Sequence, residues 1–453
     1  MKTLAIQVVL FNQRSGELEK LFQCLAGLWT PVGYRLELRT GDCGDSTELN
    51  EAFVDSWRAK LASTGIGWTH VDFEENLGFG RGHSRLFSSG PSDRIWLMNP
   101  DAFFARDILV RLSGFADQRS DWGIVEPRSL PIEHAKAVDF DTFETGWCSG
   151  FAPLISSSAF EEVGGFDEGF FLYEEDVDLS WRIKATGRRL YCCPWASVYH
   201  AHVGGVSDWQ RHWSQVSELR LLRKYGRTGH LLCRLSDLAS GDRFEETLAL
   251  ASQGTSAVAS AKERSWASWS GRLVSALRWG PYSIEEGKGT ESDSIVVSAS
   301  KENPDSLVEA ALSAWAVGVG QVSVRASNSV VEIVADRLPF VLSQEEADAT
   351  EIGEGQILIH RFLDDGTWAE VHCNPRGSGY LTAGVQTDAV GKAATVWQKN
   401  SEDSPTLIED AEGWRFWVRQ LRARLRLLRV DSGRRRAIKR FLSFEPPRNE
   451  GTK

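Results

Sequence analysis

The densest group of chemically capable side chains is a run of acids between aromatic residues, Gly164–Leu179. Four carboxylates fall within five residues here, namely Glu174, Glu175, Asp176 and Asp178. On a helix, Glu174 and Asp178 share a face and Asp176 points away from Asp178, so only one set can face a pocket. In a first helical turn Asp176 is kept ionised, as a general base must be before it deprotonates a hydroxyl. The alternative is that Asp176 caps the helix and the other acids lie on a solvated face.

Two shorter clusters each carry one carboxylate after an apolar run. Asp42 lies in the turn Thr40–Thr47, where it could accept hydrogen bonds from a nucleobase or a ribose. Asp101 ends Trp96–Asp101, and a single carboxylate suits a divalent cation whose other ligands are phosphate oxygens. Aspartate is also an ordinary turn residue, so neither cluster is specific by itself.

A glycine-rich segment, Asn76–His83, precedes a predicted helix. Gly78, Gly80 and Gly82 alternate along it and would allow a ligand to approach the backbone closely. The spacing is not the dinucleotide fingerprint GxGxxG, so a Rossmann dehydrogenase gains little support. The alternative is a flexible turn into the helix.

Histidines and cations follow the acidic run. His200 and His202 lie on a predicted strand, and a lone histidine is more often structural than a metal ligand. The next helix carries Arg220, Arg223 and Lys224, which could approach diphosphate oxygens.

The elements that must position these residues alternate between strand and helix over the first ~235 residues, which predicts an α/β layer with mostly parallel strands. Ligands of such sheets lie beyond the carboxyl ends of the strands, where the polar clusters fall. The predicted strands are Leu4–Leu10, Tyr34–Thr40, Gly67–Asp72 and Arg94–Met98, and the predicted helices are Gly16–Leu28 and Glu48–Ala62.

The remaining chain divides by composition. We expect an α/β first domain at 1–235, a Ser-, Ala- and Gly-rich helical and linker segment at 236–292, and a small α+β domain of unknown role at 293–408. That domain should hold one helix near Pro304–Val317. Its predicted strands are IVVSAS, QVSVRAS, VVEIVA, QILIHRF and WAEVHCN.

The segment 409–453 is predicted to be a basic amphipathic helix and tail. From Ala411 to Lys453 there are 13 Lys+Arg and 4 Asp+Glu. Apolar side chains form one helical stripe and arginines a second: Val418, Leu421, Leu425 and Leu428; Arg415, Arg419, Arg422, Arg426 and Arg429. Such a helix is typical of a membrane-surface or partner-docking element, and the alternative is an ordinary surface helix covering the core.

Composition narrows the class. The 453 residues carry 51 Lys+Arg and 62 Asp+Glu, a net charge of -11, and are 42% hydrophobic, which excludes a disordered or collagen-like chain and argues against a general nucleic-acid binder. Seven scattered cysteines without a CxxC pair indicate the reducing cytosol rather than a disulfide framework or a zinc site. The apolar start is better interpreted as a buried strand than as a signal peptide, and no run is long enough to span a membrane.

Taken in order, these motifs resemble those of family 2 glycosyltransferases, especially the bacterial rhamnosyltransferase-like group. The resemblance covers residues 1 to about 230. The pieces that carry it are Phe11-Asn12, Asp42–Asp45, Asn76–Phe79, Asn99-Pro100-Asp101, Gly164–Leu179, His200 and Lys224-Tyr225-Gly226. Cys43 and Asp45 depart from the usual Asn and Ser of that group, which bears on the identity of the nucleotide.

The resemblance implies a GT-A fold, a mixed sheet flanked by helices, and an inverting transfer from a nucleotide-diphosphate sugar to an acceptor hydroxyl. Asp176 would be the base and Glu175 would shape the acceptor side. Asp101 would hold Mg²⁺ or Mn²⁺, with His200 or His202 as a further ligand. The substrate-binding candidates are Asn12, Asp42, Asn76, Gly78, Gly80, Asn99, Trp147, Gly150 and Arg223.

The group also suggests a dTDP-rhamnose donor and a glycan or lipid-linked acceptor in bacterial surface polysaccharide synthesis, on the cytoplasmic side of the membrane. The alternative from another class is a non-catalytic scaffold that binds sugar nucleotides or glycans. The presence of Asp101, Glu175 and Asp176 together speaks against it. A nucleotidyltransferase lacks support, because no Gly-rich run with a phosphate-gripping Lys follows the first strand.

Overall fold

The computed structural model describes residues 1–13, 15–44, 51–130, 136–139, 142–200, 207–253, 258–266, 273–274, 294–299, 304–316, 321–342, 357–362, 368–373, 384–385 and 414–443. The strands are β1 Lys2–Leu10, β2 Tyr34–Asp42, β3 Gly67–Asp72, β4 Arg94–Met98, β5 Ala102–Phe104, β6 Trp122–Leu130, β7 Lys136–Ala137, β8 Leu154–Ser156, β9 Arg189–His200, β10 Leu273–Val274, β11 Ser294–Ala299, β12 Gln321–Arg325, β13 Ile357–Phe362, β14 Trp368–Cys373 and β15 Gly384–Val385. The helices are α1 Ser15–Ala26, α2 Glu51–Ser63, α3 Gly78–Phe87, α4 Ile108–Asp117, α5 Ser157–Glu162, α6 Glu175–Thr186, α7 Asp208–Lys224, α8 Thr228–Leu238, α9 Phe244–Ser252, α10 Ala261–Trp266, α11 Pro304–Ala316, α12 Asn328–Arg337, α13 Trp414–Leu427 and α14 Ser432–Ser443.

An eight-stranded mixed sheet organises the first part of the chain, in the order β3-β2-β1-β4-β8-β6-β9-β5. The neighbours β3, β2, β1 and β4 run parallel, β8 is antiparallel to both β4 and β6, and β9 is parallel to β6. Side chains of β4 alternate between two hydrophobic clusters: Trp96 and Met98 enter one, and Ile95 and Leu97 enter the other. Both faces of the sheet are therefore covered, as continuous apolar strands require. This confirms the predicted α/β class.

The register of the parallel strands brings the polar clusters to one edge. Leu10 pairs with Asp42, and Asp42 pairs with Asp72, so β1, β2 and β3 end side by side. Val8 pairs with Met98, which places Asn99 just beyond the end of β4. Asp42 and Asn99 therefore lie at the carboxyl ends of the parallel strands, where ligands of such sheets are expected.

One predicted strand is wrong. The segment Val330–Ala335 lies in helix α12. Its β-branched residues favour a strand, but Val330, Val334 and Leu338 are spaced so that one helical face meets the core. Packing of that face decides the structure against local propensity.

A second sheet, in the order β12-β11-β13-β14-β15, follows. Helix α11 packs it against the first sheet: Lys20 Nζ donates to the Trp315 carbonyl at 2.8 Å, and Arg111 Nη2 lies 2.8 Å from Asp305 Oδ1. One hydrophobic cluster contains both Leu4 of β1 and Leu307 of α11. Because that core is continuous, the domain boundaries at 235, 292 and 408 remain a prediction from the sequence.

The C-terminal segment forms two helices, α13 and α14, instead of the single predicted helix. Ala423, Ile438 and Phe441 are buried against the helices that follow the first sheet. The predicted apolar stripe behaves otherwise, because Leu421, Leu425 and Leu428 are exposed. Residues 409–413 and 444–453 of that prediction, and the predicted linker, lie outside the described residues. Within the described part of the chain, no helix is long and apolar enough to cross a membrane.

Candidate active site

Asp176 lies in the first turn of α6, where its carboxylate is held by backbone groups. Oδ2 accepts a hydrogen bond from the Gly150 N–H at 2.8 Å, and Oδ1 accepts one from the Val177 N–H at 2.7 Å. The residue before α6 is Glu174, so Asp176 does not cap the helix as the alternative interpretation held. Tyr173 and Glu174 both have positive φ, 70° and 65°, a costly conformation for non-glycine residues that aims the start of α6.

Of the two acids that precede Asp176, Glu175 is buried and Glu174 is half-buried. Burial, and then the neighbouring Asp176, raises the pKa of Glu175 well above its usual range. Burial, and then Asp176 and Glu218, raises the pKa of Glu174 to about 8. Among the described residues, no group donates a hydrogen bond to Oε2 of Glu175. These carboxyls are therefore held protonated at neutral pH, which limits the negative charge collected beside Asp176.

Asp178 is structural. Its side chain is fully buried and contacts Lys224 Nζ at 2.5 Å and Arg182 Nε at 2.7 Å, and it accepts the Tyr225 hydroxyl at 2.8 Å. Burial by itself raises the pKa of Asp178, but Arg182 and Lys224 outweigh it and lower that pKa. The expectation of a solvated acidic face is thus wrong for Asp178 and for Glu175. Asp178 instead ties α6 to α7.

The predicted metal-site residues come together at the end of β4. Nε2 of His200 lies 3.4 Å from Oδ2 of Asp101 and 3.5 Å from Nδ2 of Asn99. The Phe151 ring stacks on the imidazole with centroids 3.9 Å apart. The short strand β5 follows β4 in the chain and pairs with β9, with Ala102 opposite His200. This pairing places the end of β9 close to the end of β4.

This donor set fits a divalent cation that also takes ligands from a diphosphate. One carboxylate and one imidazole suit Mn²⁺ better than Mg²⁺, which prefers oxygen alone. In the described ranges, no group of three or more His, Cys, Asp or Glu side chains is arranged to hold a metal ion, and the candidate protein ligands at this place are Asp101 and His200. The other candidate, His202, lies outside the described residues.

Gly150 and Phe151 connect the two clusters. Gly150 donates to Asp176, and the next residue stacks on His200. The loop that carries them is anchored by Glu126, which is buried and accepts the Ser149 N–H at 2.8 Å. Trp147 lies in the same loop, half-buried, and its carbonyl accepts the Thr145 hydroxyl at 3.3 Å. Sequence reasoning missed Glu126 and Phe151, since neither stands in a polar motif.

The nucleotide-side candidates surround the ends of β1 and β2. Oδ1 of Asp42 accepts the Gly44 N–H at 2.9 Å. A Cβ on Gly44 would lie 2.5 Å from Oδ1 of Asn12, so these residues pack tightly. Asn76 holds the start of α3, with Oδ1 accepting the Gly78 N–H at 3.0 Å.

The glycines of α3 have a packing role that the sequence did not suggest. Gly78 and Gly80 lie inside the helix rather than ahead of it. A Cβ on Gly78 would lie 2.0 Å from the Phe171 carbonyl oxygen, and one on Gly80 would lie 3.0 Å from Cβ of Phe166. The space that we expected a ligand to use is filled by the backbone and rings of the run Gly164–Leu179, called the acidic block below.

The cations of α7 contact protein groups instead of the Asp101 cluster. Lys224 pairs with Asp167 and Asp178, each at 2.5 Å. Arg220 donates to the Gly169 carbonyl. Arg223 donates to the Phe441 carbonyl at 3.5 Å and lies over that ring. These contacts do not support the prediction that Arg223 binds diphosphate.

An aromatic patch lies beside the acidic block. The Phe171 ring contacts Trp213, with centroids 4.6 Å apart, and Trp209 at 6.0 Å. Trp209 is 44% exposed, and the Phe171 carbonyl also accepts the Phe79 N–H at 3.1 Å. The only sequence signal is the pair of tryptophans in the segment after the histidines.

The mixed sheet with both faces covered, and the acids at its strand ends, has the architecture that the resemblance to GT-A glycosyltransferases implied. The rhamnosyltransferase WbbL of Escherichia coli (strain K12) is 36% identical over 81 residues, which are 17% of this chain and 31% of WbbL. The N-acetylglucosaminyl-diphospho-decaprenol L-rhamnosyltransferase of Mycobacterium tuberculosis (strain ATCC 25618 / H37Rv) is 48% identical over 62 residues, 13% of this chain and 20% of that protein. The resemblance to a rhamnosyltransferase-like family is thus confirmed over a partial segment.

The chain spans less than a third of the length of either curated relative. No protein-family model matches it. Among solved structures, GalNAc-T7 with UDP, GalNAc and Mn²⁺ gives a TM-score of 0.40 at 14% identity, covering 49% of this chain and 48% of that one. The mannosyltransferase PcManGT from Pyrobaculum calidifontis, with GDP-Man and Mn²⁺, gives 0.38 at 17% identity, covering 56% and 73%. TM-scores of this size do not establish a common fold or function.

Proposed function

We propose that this protein transfers a sugar from a nucleotide-diphosphate donor to a hydroxyl of a glycan or lipid-linked acceptor, with inversion. One observation carries the proposal: Gly150 and Phe151, adjacent in the chain, join the Asp176 carboxylate to the Asp101–His200 pair. The candidate base and the candidate diphosphate site are therefore positioned by the same two-residue segment.

In the proposed reaction, Asp176 accepts the proton of the acceptor hydroxyl. The acceptor oxygen forms a bond to the anomeric carbon while the bond from that carbon to the diphosphate oxygen breaks, and the nucleoside diphosphate leaves. The hydrogen bond from the Gly150 N–H fixes the orientation of the carboxylate before the acceptor binds, so no conformational freedom has to be lost in the reaction. Glu175 would shape the acceptor side as a neutral, buried group.

Asp101 and His200 would hold a Mn²⁺ or Mg²⁺ ion, which neutralises charge on the leaving diphosphate when bound. Asp42 and Asn12 would contact the nucleoside, with Asn76 and Asn99 nearby in the same edge. The two curated relatives reported above are rhamnosyltransferases, which supports rhamnose as the sugar and dTDP-rhamnose as the donor to test first.

The aromatic patch supports a place for the acceptor. Trp209 exposes part of its ring next to Phe171, five residues before Asp176, and an indole face can stack on a sugar ring. Six cysteines are free thiols, which supports the cytoplasmic location predicted from the sequence: Cys24, Cys43, Cys148, Cys192, Cys193 and Cys233.

The test compares Asp176→Asn with Glu168→Gln, an exposed acid of the same block. With dTDP-rhamnose, Mn²⁺ and N-acetylglucosaminyl-diphospho-decaprenol, we expect Asp176→Asn to lower kcat by about 10²- to 10⁴-fold, while donor binding by calorimetry is unchanged. Glu168→Gln should behave as the unsubstituted protein. Normal transfer by Asp176→Asn would contradict the base assignment. Donor binding without turnover across many acceptors would favour the non-catalytic scaffold.

A further inference from the structure

The described side chains of the C-terminal helices form one apolar face that is buried in the protein and a second that is exposed. Ala423, Ile438 and Phe441 are buried against the helices that follow the first sheet. On α13 and just beyond it, Leu421, Leu425 and Leu428 are 42%, 51% and 67% exposed. Their spacing of four and three residues makes a continuous stripe along the outer side of the helix. An ordinary surface helix would bury that stripe, so the exposed stripe needs another occupant.

The stripe runs into a groove of about 790 Å³ between α13, α14 and α8. Leu428 and Leu442 line it, and Leu442 is 47% exposed. Three of the lining residues are basic, namely Arg424, Arg435 and Lys439, and none is acidic. An apolar floor with cations at its rim matches an amphiphile that has an anionic head.

Charge across both helices points the same way. Trp414–Ser443 contains 11 Arg+Lys and one acid, Asp431. Several of these cations contact the rest of the protein: Arg419 and Arg426 lie 3.3 and 3.8 Å from Asp237, and Arg434 donates to the Ala239 carbonyl. The rest of the segment remains strongly positive, whereas the whole chain carries a net charge of -11. A symmetric contact between two copies through this face would bring the basic rims together, which repel each other.

We infer that this face, defined by Leu421, Leu425, Leu428, Leu442 and the basic rim of the groove, docks on the anionic surface of a lipid bilayer. Exposed leucines would enter the boundary between headgroups and acyl chains, and the arginines and Lys439 would contact lipid phosphates. Nucleic acid would use the cations alone and leave the leucines in water, so the leucines favour lipid. The inference does not depend on the reaction proposed above.

The experiment uses the full chain and no sugar nucleotide, so its result is independent of enzymatic activity. The protein is sedimented with phosphatidylcholine vesicles, pure or with roughly 30% phosphatidylglycerol, at about 0.05 M and about 0.5 M salt. We expect binding to the anionic vesicles at low salt and a loss of at least about tenfold at high salt. Absence of binding to anionic vesicles at low salt would overturn the inference.

The leucines are tested with Leu425→Ser combined with Leu428→Ser. Anionic-vesicle affinity should fall by about tenfold or more, because two apolar anchors are lost. The matched control is Val32→Ser with Val341→Ser, two fully exposed valines elsewhere, which should bind normally. Leu425→Phe combined with Leu428→Phe changes the same two positions but keeps them apolar, so it should retain binding. It thereby separates the loss of apolar side chains from damage to the helix caused by substitution at these positions. Unchanged binding by the serine variant would show a purely electrostatic surface, as nucleic acid uses, and would overturn the inference.

Discussion

At the scale of single residues, four neighbouring carboxyl groups of the candidate site differ in burial and in the groups that they contact. Glu175 is buried and Glu174 is half-buried, and both have a raised pKa, while Asp178 is buried and paired with cations. Asp176 is half-buried, and backbone N–H groups hold its carboxylate. Four acids that look equivalent in the sequence therefore have three different environments.

The raised pKa of Glu174 makes stability depend on pH. The folded-state value is about 8, and an unfolded glutamate titrates near ~4.3. Between these values the folded state binds more protons, so this group's contribution to stability decreases as pH rises from about 4.3 to about 8. We expect Glu174→Gln to remove that decrease, so its thermal midpoint relative to the unsubstituted protein should rise from pH 5 to pH 8. Parallel curves for the two proteins over this range would contradict the assignment.

The Asp101–His200 pair should control metal affinity. Asp101→Asn or His200→Ala removes one of two protein ligands, so we expect Mn²⁺ binding in the presence of a nucleoside diphosphate to weaken by about tenfold or more. Electron paramagnetic resonance of free Mn²⁺ measures this without turnover. Asp121→Asn, which alters an acid paired with Arg189 away from this pair, is the control. Equal Mn²⁺ affinity in all proteins would remove Asp101 and His200 from the metal site.

At the scale of elements, close packing between α3, α6 and the Gly150 loop sets the position of Asp176, the proposed base. Gly78 and Gly80 allow α3 to lie against the acidic block, and the positive φ angles of Tyr173 and Glu174 turn the chain into α6. The sequence analysis placed Asp176 in a first helical turn, as α6 has it. It did not predict the backbone turn before α6, which follows two carbonyls held by distant residues: the Phe79 N–H donates to Phe171, and the Ser217 hydroxyl donates to Leu172.

This packing can be tested at Gly150. A Cβ there would lie 3.0 Å from Cε1 of Phe79 and 3.3 Å from Cβ of Asp176, so Gly150→Ala should displace the base. We expect kcat to fall by about tenfold or more, since small displacements of a catalytic group are costly. Gly114→Ala is the matched control, because nothing lies within 4 Å of its Cβ position in the exposed part of α4. Transfer at the normal rate by Gly150→Ala would contradict the packing argument.

At the scale of the whole molecule, α11 joins the two sheets. The Trp315 ring stacks on Phe340 with centroids 4.9 Å apart and meets the edge of Phe103 at 5.7 Å. Arg111 and Arg337 both contact Asp305, at 2.8 and 2.7 Å. The second sheet therefore depends on the first for part of its core, which the composition shift near residue 293 did not reveal.

Trp315→Ala should weaken this junction. Removing a buried tryptophan costs about 3–5 kcal/mol, so we expect the transition that includes the second sheet to move to lower temperature and separate in calorimetry. Trp29→Ala, which removes a 37% exposed ring, is the control and should leave the calorimetric unfolding trace unchanged. An unaltered calorimetric trace for Trp315→Ala would show that α11 does not couple the sheets.

The sequence by itself determined the ends of the strands that stop at Leu10, Asp42 and Met98 to within two residues. It also supplied Asp176 as the candidate base, and Asp101 and His200 as candidate metal ligands. These follow from apolar periodicity and side-chain chemistry, which are local. Only the tertiary structure decided which acids stay charged, that Val330–Ala335 is helical, and that Leu421, Leu425 and Leu428 face outward. Burial and ion pairing depend on residues far apart in the chain, such as Lys224 beside Asp178 and Asp237 beside Arg419, so no local pattern specifies them.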